Sequence, residues 1–393
     1  MTEGRETARS AVHLNLPPAP TFSFAIFCRN ECDKDCPLIR AQTRPLPAHG
    51  SQRGGKVSTT TETTGTSERQ VAHIYNAAVA ASAISAAWDI GLLDELRDQG
   101  TVDAEEYADR RDLDADSTVG LLRALASVDI VRRDGARAEP AALFDEVYRT
   151  RSFFHWLMRG SGGLFREAPE AMRNENRSGS FYQRDSAAIA RACREISKFC
   201  YDPWFHRAVN GLDFPLTTVA DLGCGSGERI MQVLRQFPEA RGIGIDVAEP
   251  ALADATEDAA RAGLSDRLLF LHADVLEMAA HPSFAEVQLV TCFMMGHDFW
   301  PRENCIRQLR RIRALFPAVR RLILGDATRS VGTPDRELRT FTLGFELAHD
   351  LMGTFIPTVT DWESVFEEGG WTLRWKHMID IAVGEVVFEL DPA

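Results

Sequence analysis

The spacing of apolar residues changes along the chain and divides it into a helical part and an alternating part. From residue 69 to residue 212, apolar residues recur at intervals of three and four, which predicts amphipathic helices. From residue 217 onward, short apolar runs typical of buried strands alternate with helical segments. Such alternation is typical of a parallel sheet with helices on both faces. The pattern predicts an α/β domain over residues 213–393.

One βαβ unit, from Thr217 to Asp246, carries the most specific pattern in the chain. An apolar strand leads into the glycine loop Gly223–Gly227, and an amphipathic helix and a second short strand follow. Glycines let the backbone turn sharply and approach a ligand, while the helix presents free N–H groups. In a doubly wound sheet the ligand is expected at this loop.

The residues around the loop distinguish between the possible ligands. A dinucleotide fingerprint needs a third glycine where this chain has Glu228. Asp221, two residues before Gly223, would repel a pyrophosphate but suits a cation. Asp246 lies 21 residues beyond Gly225, where an acid accepts from both ribose hydroxyls. A ligand with a ribose, no phosphate and a positively charged amino-acid arm is S-adenosylmethionine.

With its D-x-G-x-G-x-G run and the acid that follows, the sequence resembles the class I S-adenosylmethionine-dependent methyltransferases. The resemblance implies a Rossmann-like sheet. An acid at the end of the third predicted strand matches the family's adenine contact. The resemblance to this family implies cofactor-binding roles for Asp221, Gly223, Gly225, Asp246, Ala273, Asp274 and Phe293.

The composition of the chain argues against several classes of binding partner. The chain has 393 residues, 45% of them apolar, and a net charge of −13. That charge argues against binding nucleic acid, because no basic stripe could offset it. No apolar run approaches the roughly 20 residues of a membrane span, and we identify no signal peptide. The eight scattered cysteines suit a reducing cytoplasm, where we expect the protein to reside.

Residues 1–68 differ from the rest, since they mix Pro, Arg, Ser and Thr without periodicity. We predict a disordered extension. Its Cys28, Cys32 and Cys36 match neither a zinc spacing nor an iron–sulfur spacing and are interpreted as plain thiols. The codons of Gly54-Gly55-Lys56 would resemble a ribosome-binding site, and our hypothesis is that the natural protein begins at Val57.

The sequence pattern of residues 69–150 predicts three helices and a β-hairpin, which are the elements of a winged-helix unit. Alone they would suggest DNA binding, but their many acidic side chains argue against a phosphate-binding face. The pattern resembles the N-terminal dimerisation domain of small-molecule O-methyltransferases, and the resemblance implies a homodimer. A non-enzymatic regulator that senses S-adenosylmethionine is a further hypothesis, and the acidic domain counts against it.

Residues 151–212 are helical and rich in aromatic side chains, most of which we expect in the core. The others would roof a substrate pocket, and they include Trp156. Arg159 and Arg184 lie beside them in the sequence, and either could grip a substrate carboxylate with two hydrogen bonds.

His297 follows the fourth predicted strand of the sheet, where sites of this fold are built. His297-Asp298-Phe299 resembles the H-D-W triplet of plant-type O-methyltransferases. In that family the histidine is the general base that deprotonates a phenol. The resemblance therefore implies that His297 accepts a proton from a hydroxyl group.

His349, on the next long predicted helix, suggests a narrower relationship. Together with Met294, His297 and Asp298, it resembles the α-keto acid C-methyltransferases of peptide antibiotic pathways, of the phenylpyruvate methyltransferase type. In that family two histidines hold a non-haem iron, and the substrate's carboxylate and keto oxygen complete the coordination. The resemblance implies that His297 and His349 bind Fe or another divalent metal such as Zn.

The chemistry gives a reason for a metal. The C3–H of a keto acid is too weakly acidic for an unaided histidine, whereas a chelated cation would stabilise the enediolate as a Lewis acid. We predict C3 methylation of phenylpyruvate or a branched aliphatic keto acid, with Asp298 orienting a ligand or acting as base. The alternative is a metal-free O-methyltransferase in which His297 is the base.

Overall fold

A computed structural model describes residues 60–379 and 385–393 of the chain. Within these ranges, the residues from Glu62 to Ala393 form a single compact unit. The three N-terminal cysteines, the Val57 hypothesis and most of the predicted disordered extension lie outside the described residues. The divisions that the sequence suggests at residues 150 and 212 stay predictions.

The N-terminal part contains helices and a β-hairpin, as the sequence predicts. The winged-helix unit stays a prediction that rests on these elements. The side chain of Asp103 caps one helix by accepting from two backbone N–H groups, and that of Asp114 caps the next by accepting from the N–H of Ser117. Gly91, with φ +80°, separates the first two helices. The elements are α1 (Thr60–Asp89), α2 (Leu92–Gln99), β1 (Val102–Asp103), α3 (Ala104–Arg111), α4 (Ala115–Ala126), β2 (Val131–Asp134) and β3 (Arg137–Pro140).

Among the α1 residues whose burial the structure describes, only those near the C-terminal end are buried. Ile84 and Trp88 are buried in the core of the N-terminal part, whereas Ile74 and Tyr75 are about 70% exposed. Within the described residues no single helix is long and apolar enough to cross a membrane; one pair of helices, bent by 78°, passes that test together. The homodimer that the sequence implies stays a prediction.

The middle of the chain is helical, as the sequence predicts, and contains one turn of π-helix at Trp156–Gly160. Gly160 allows this turn to pack against the next long helix, since a Cβ there would lie 2.6 Å from Ile189. The helices are α5 (Phe144–His155), α6 (Gly162–Arg166), α7 (Ala168–Ala171), α8 (Ser186–Cys200) and α9 (Asp202–Asn210).

A seven-stranded sheet forms the C-terminal part, in the order β6-β5-β4-β7-β8-β10-β9. The first five strands in this order are parallel, and β10 pairs antiparallel with β8 and β9. Apolar residues cover both faces of the sheet, as expected for parallel strands. The strands are β4 (Thr218–Leu222), β5 (Arg241–Asp246), β6 (Leu268–His272), β7 (Leu289–Phe293), β8 (Arg321–Asp326), β9 (Trp371–Ile379) and β10 (Glu385–Pro392).

The helices that flank the sheet agree with the sequence pattern except near residue 340. The predicted helix from Glu337 to Met352 begins only at Thr342, because Phe341 has φ +80° and interrupts it. The ends of β4 and β7 stand at the middle of the sheet, where the order of connections reverses. The helices are α10 (Glu228–Gln236), α11 (Glu249–Arg261), α12 (Arg302–Leu315), α13 (Thr342–Met352) and α14 (Val359–Phe366).

Glu385, at the start of β10, makes stability depend on pH. Its side chain is fully buried, and neither carboxyl oxygen has a hydrogen-bond partner among the described residues. Burial raises its pKa from 4.5 to about 8, which the Cys200 thiol offsets only in part. Between these values the folded protein retains a proton that the unfolded chain has released. The free energy of unfolding should therefore fall as pH rises.

Replacing Glu385 with glutamine should remove this dependence. We expect the variant to match the parent near pH 5 and to be more stable at pH 9, by on the order of a few kcal/mol. Denaturant unfolding at both pH values measures the difference. Glu389→Gln is the matched control, since it breaks the contact with buried Arg321 and should destabilise at both pH values. Equal pH dependence in Glu385→Gln and the parent would contradict the prediction.

Candidate active site

The glycine loop connects β4 to α10 as the sequence predicts. Gly223 and Gly225 have φ values of +68° and +51°, a backbone conformation that favours glycine. A Cβ on Gly223 would lie 2.8 Å from the sulfur of Met295, whereas one on Gly225 would face open space. The loop therefore packs against protein on one side and is accessible to a ligand on the other.

Asp221, the predicted partner for a cation, lies almost fully buried at the end of β4. Its Oδ1 accepts a hydrogen bond from Thr291 Oγ1 at 2.6 Å. Its Oδ2 has no hydrogen-bond partner among the residues that the structure describes. Burial raises its pKa to about 6, although Arg229 and the bond from Thr291 act in the opposite direction. A nearby positive charge would favour the ionised form.

Asp246 ends β5 beside the glycine loop. Its Oδ2 accepts from the backbone N–H of Gly225 and its Oδ1 from that of Ala248, both at 2.8 Å. Each carboxylate oxygen retains a further lone pair, so the predicted bonds from a ribose remain possible. Ala273 donates its N–H to the carbonyl of Asp246, and the exposed Asp274 accepts from the N–H of Leu276. The predicted ribose and adenine residues thus lie along one edge.

The end of β7 departs from regular geometry. Met294 has φ +54°, which is unusual for a residue with a side chain. Tyr201, fully buried, donates its hydroxyl to the sulfur of Met294 at 2.8 Å. Phe293 is buried and packs edge-on against Tyr201 and Phe205. No pattern in the sequence indicates Tyr201 as a support of this turn.

His297 lies in the short 3-10 helix after this turn and is only 7% exposed. Its Nδ1 contacts Oδ1 of Asp326 at 2.7 Å, while Asp298, the residue predicted to assist it, is exposed. Burial opposes a charge on His297, but Asp326 and Asp298 outweigh it and raise the pKa to about 9. The buried carboxylate that holds this imidazole is Asp326.

Asp326 could have been found from the sequence only with a better strand boundary. The apolar pattern predicts a fifth strand from Arg321 to Leu324, whereas β8 continues to Asp326. A carboxylate at the end of a central strand is a recognised signal for a site in this fold. The side chain is fully buried, and its Oδ1 also accepts from the N–H of Ala327.

His349 lies on α13 and faces His297. The two ring centroids are 5.2 Å apart, and the rings are nearly perpendicular at 89°. Nδ1 of His349 contacts the carbonyl of Phe345 at 2.7 Å. Because a carbonyl only accepts, this nitrogen carries the proton and Nε2 keeps its lone pair. Burial and the neighbouring His297 lower the pKa of His349 to about 3, so it is neutral.

The two imidazoles have the local environment that metal-ligating histidines use. Each binds an oxygen through Nδ1, which leaves Nε2 available for a metal. In the part of the chain that the structure describes, no three His, Cys, Asp or Glu side chains group as a metal site requires. The pair would therefore supply two ligands, and other ligands would have to come from substrate or water.

The predicted substrate residues do not all approach this pair. Trp156 is buried, with its ring parallel to that of His349 at 6.4 Å. Arg184 is close enough for its charge to lower the pKa values of both histidines. Arg159 is largely exposed and contacts Asp89 instead. Both arginines line a cavity of about 630 Å³ beneath the segment that precedes α8.

Comparison with known sequences agrees with this geometry. The family described as "Methyltransferase domain" matches residues 219–315. Methyltransferase ungE' of Aspergillus campestris is 49% identical over 331 residues, which are 82% of this chain and 97% of that protein. Indolepyruvate C-methyltransferase of Streptomyces griseus is 26% identical over 323 residues, which are 80% of this chain and 92% of that protein.

A solved structure agrees with the fold. The mitomycin 7-O-methyltransferase MmcR superposes with a TM-score of 0.62 at 21% identity, over 85% of this chain and all of that one. The strand order, the glycine loop and the match over 97% of ungE' all support the same family. The chain belongs to the class I S-adenosylmethionine-dependent methyltransferases.

Proposed function

We propose that the protein transfers the methyl group of S-adenosylmethionine to C3 of an α-keto acid, phenylpyruvate or a branched aliphatic one, in natural-product biosynthesis. The observation that carries the proposal is the pairing of His297 with His349, whose ring centroids are 5.2 Å apart. Two imidazoles with both Nδ1 atoms occupied suit a divalent cation such as Fe or Zn. Methylation of an oxygen would not need the second imidazole.

The relationship to indolepyruvate C-methyltransferase supports the same conclusion. The name of that Streptomyces griseus protein states a methyl transfer to carbon on indolepyruvate, an α-keto acid. The similarity extends over 80% of this chain, so it includes more than the cofactor-binding segment. The name of the more similar ungE' states only that it is a methyltransferase.

The residues of this chain would hold the reactants as follows. His349, neutral, and His297, after losing its proton, present Nε2 atoms toward the substrate. Asp326 fixes the orientation of His297 through Nδ1, and the carbonyl of Phe345 does so for His349. A divalent cation held there would supply Lewis acidity to the carboxylate and keto oxygen of the substrate.

The transfer itself needs a base and a dry, positively charged pocket. In this proposal Asp298 removes the C3 proton, and the enolate carbon then attacks the methyl carbon as the bond from that carbon to sulfur breaks. S-adenosylhomocysteine leaves, and the base returns its proton to solvent. Arg184 would attract the substrate carboxylate, while Trp156 would cover the substrate side chain and exclude water.

A specific observation also favours a second candidate function, methylation of a phenolic oxygen with His297 as base. Its buried contact with Asp326 is what a general base needs for orientation. In this candidate His349 has no role in the chemistry. At neutral pH a histidine with a pKa of about 9 would have to lose its proton first.

The product distinguishes the two candidates. We expect protein incubated with phenylpyruvate and S-adenosylmethionine carrying a ¹³C-labelled methyl group to form a product whose new methyl carbon is coupled to C3 by NMR. Treatment with a chelator should reduce the rate by at least tenfold, and Fe²⁺ or Zn²⁺ should restore it. Affinity for S-adenosylhomocysteine, measured in parallel, should not change.

Other results would reject the proposal. A label attached to oxygen, or an unchanged rate after complete removal of metal, would favour the O-methyltransferase. Failure to methylate phenylpyruvate, indolepyruvate and a branched aliphatic keto acid, in protein that still binds S-adenosylhomocysteine, would also contradict it.

A further inference from the structure

Two charged side chains next to the glycine loop each have one buried polar atom without a hydrogen-bond partner among the described residues. Asp221 Oδ2 and Arg229 Nε are both buried, and neither has a hydrogen-bond partner among the described residues. These two described side chains form no ion pair with each other: Asp221 bonds to Thr291, and Arg229 contacts Ser197 and Phe293. A direct contact would be expected if the Asp221 carboxylate and the Arg229 guanidinium served only to neutralise each other, because an unpaired buried charge destabilises the folded protein.

Arg229 is held in place by contacts that leave most of its donors unused. It lies in the first turn of α10, two residues after Gly227. Its guanidinium carbon lies 3.7 Å from the centroid of the Phe293 ring, a cation–π contact. One terminal nitrogen donates to Ser197 Oγ at 3.2 Å. A guanidinium has five N–H donors, so several remain for a ligand.

The two groups match the charges at one end of the methyl donor. The amino-acid arm of S-adenosylmethionine carries an ammonium and a carboxylate, and the glycine loop connects the strand of Asp221 to the helix of Arg229. Arginine is the residue best suited to bind a carboxylate through two parallel hydrogen bonds. Asp221 offers a free carboxylate oxygen to the ammonium.

We propose that Arg229 binds the carboxylate of the amino-acid arm of S-adenosylmethionine, as Asp221 binds its ammonium. The inference depends on the use of this cofactor and not on which atom receives the methyl group. In this proposal Arg229 selects ligands that carry the complete amino-acid arm, so that fragments of the cofactor do not occupy the site. A purely structural Arg229 would instead support α10 and Phe293 whatever ligand is bound.

Three ligands separate these roles by calorimetric titration of the full-length protein. S-adenosylhomocysteine carries both charges of the arm, its decarboxylated analogue carries only the ammonium, and methylthioadenosine carries neither. We expect the unmodified protein to bind S-adenosylhomocysteine 10- to 100-fold more tightly than the decarboxylated analogue, about the value of a charge-assisted pair. In Arg229→Gln this preference should disappear, while affinity for the other two ligands stays the same.

Two further variants complete the test. Arg229→Lys keeps the charge but loses the paired donors, and we expect an intermediate preference. Arg235→Gln, on the same helix and half-exposed, is the control and should keep the full preference. If Arg229→Gln loses affinity equally for all three ligands, the role of Arg229 is structural. Equal binding of S-adenosylhomocysteine and its decarboxylated analogue by the unmodified protein would overturn the proposal without any variant.

Discussion

Replacing His349 with alanine should reduce methylation of an α-keto acid by about 1,000-fold or more. This loss corresponds to about 4 kcal/mol of transition-state stabilisation, a reasonable value for losing one of two protein ligands to a Lewis acid. His349 lies on α13, remote in the chain from the glycine loop, so affinity for S-adenosylhomocysteine should stay the same. Steady-state rates with phenylpyruvate and titration with S-adenosylhomocysteine measure the two quantities.

The matched control is His281→Ala, which removes an exposed histidine side chain that contacts the nearby Ser283 and Phe284. It should retain full activity. Bound metal, measured after dialysis, should fall in His349→Ala and not in the control. If His349→Ala keeps most of its activity while His297→Ala loses it, His297 acts alone and the oxygen-methylating alternative is favoured.

Replacing Asp326 with asparagine should reduce the rate by about 100-fold, because outer partners of ligating or catalytic histidines typically contribute that much. Asparagine keeps the shape of the side chain but cannot hold His297 with a full negative charge. In the parent the contact is 2.7 Å and the carboxylate is fully buried. The rate constant kcat should fall more than KM for the keto acid changes.

Asp298→Asn provides the comparison, since this residue is next to His297 in sequence but its side chain is exposed. If Asp298 is the base, its variant should also lose activity, yet His297 should bind metal as before. The Asp326 variant should lose metal affinity together with rate. Normal metal binding and normal kcat in Asp326→Asn would show that the contact is not needed to orient the imidazole.

The cofactor side of the site could be predicted from sequence because it is local. One strand, one loop and one helix place Asp221, Gly223 and Gly225, and the next strand adds Asp246. Glycine, a strand-end acid and an apolar period of two or 3.6 are signals that do not depend on distant parts of the chain.

The acceptor side could not be derived in the same way. Asp326 meets His297 across neighbouring strands β7 and β8, and Tyr201 reaches Met294 from the junction of α8 and α9, 93 residues earlier. Such contacts depend on strand order and register, which periodicity does not reveal. His349 was found only through a family resemblance, since a gap of 52 residues is not a pattern. The start of α13 was misplaced because nothing in the sequence indicates the left-handed Phe341.

The separation of His297 from His349 has an evolutionary consequence. His297 follows a central strand of the sheet that carries the glycine loop, and His349 belongs to α13, which is remote in the chain from that loop. Under the proposed function, substitutions confined to α13 would change which atom of an acceptor becomes nucleophilic and leave the supply of methyl groups unaltered. A common ancestor could give rise to carbon-alkylating and oxygen-alkylating descendants by diversifying a single helix.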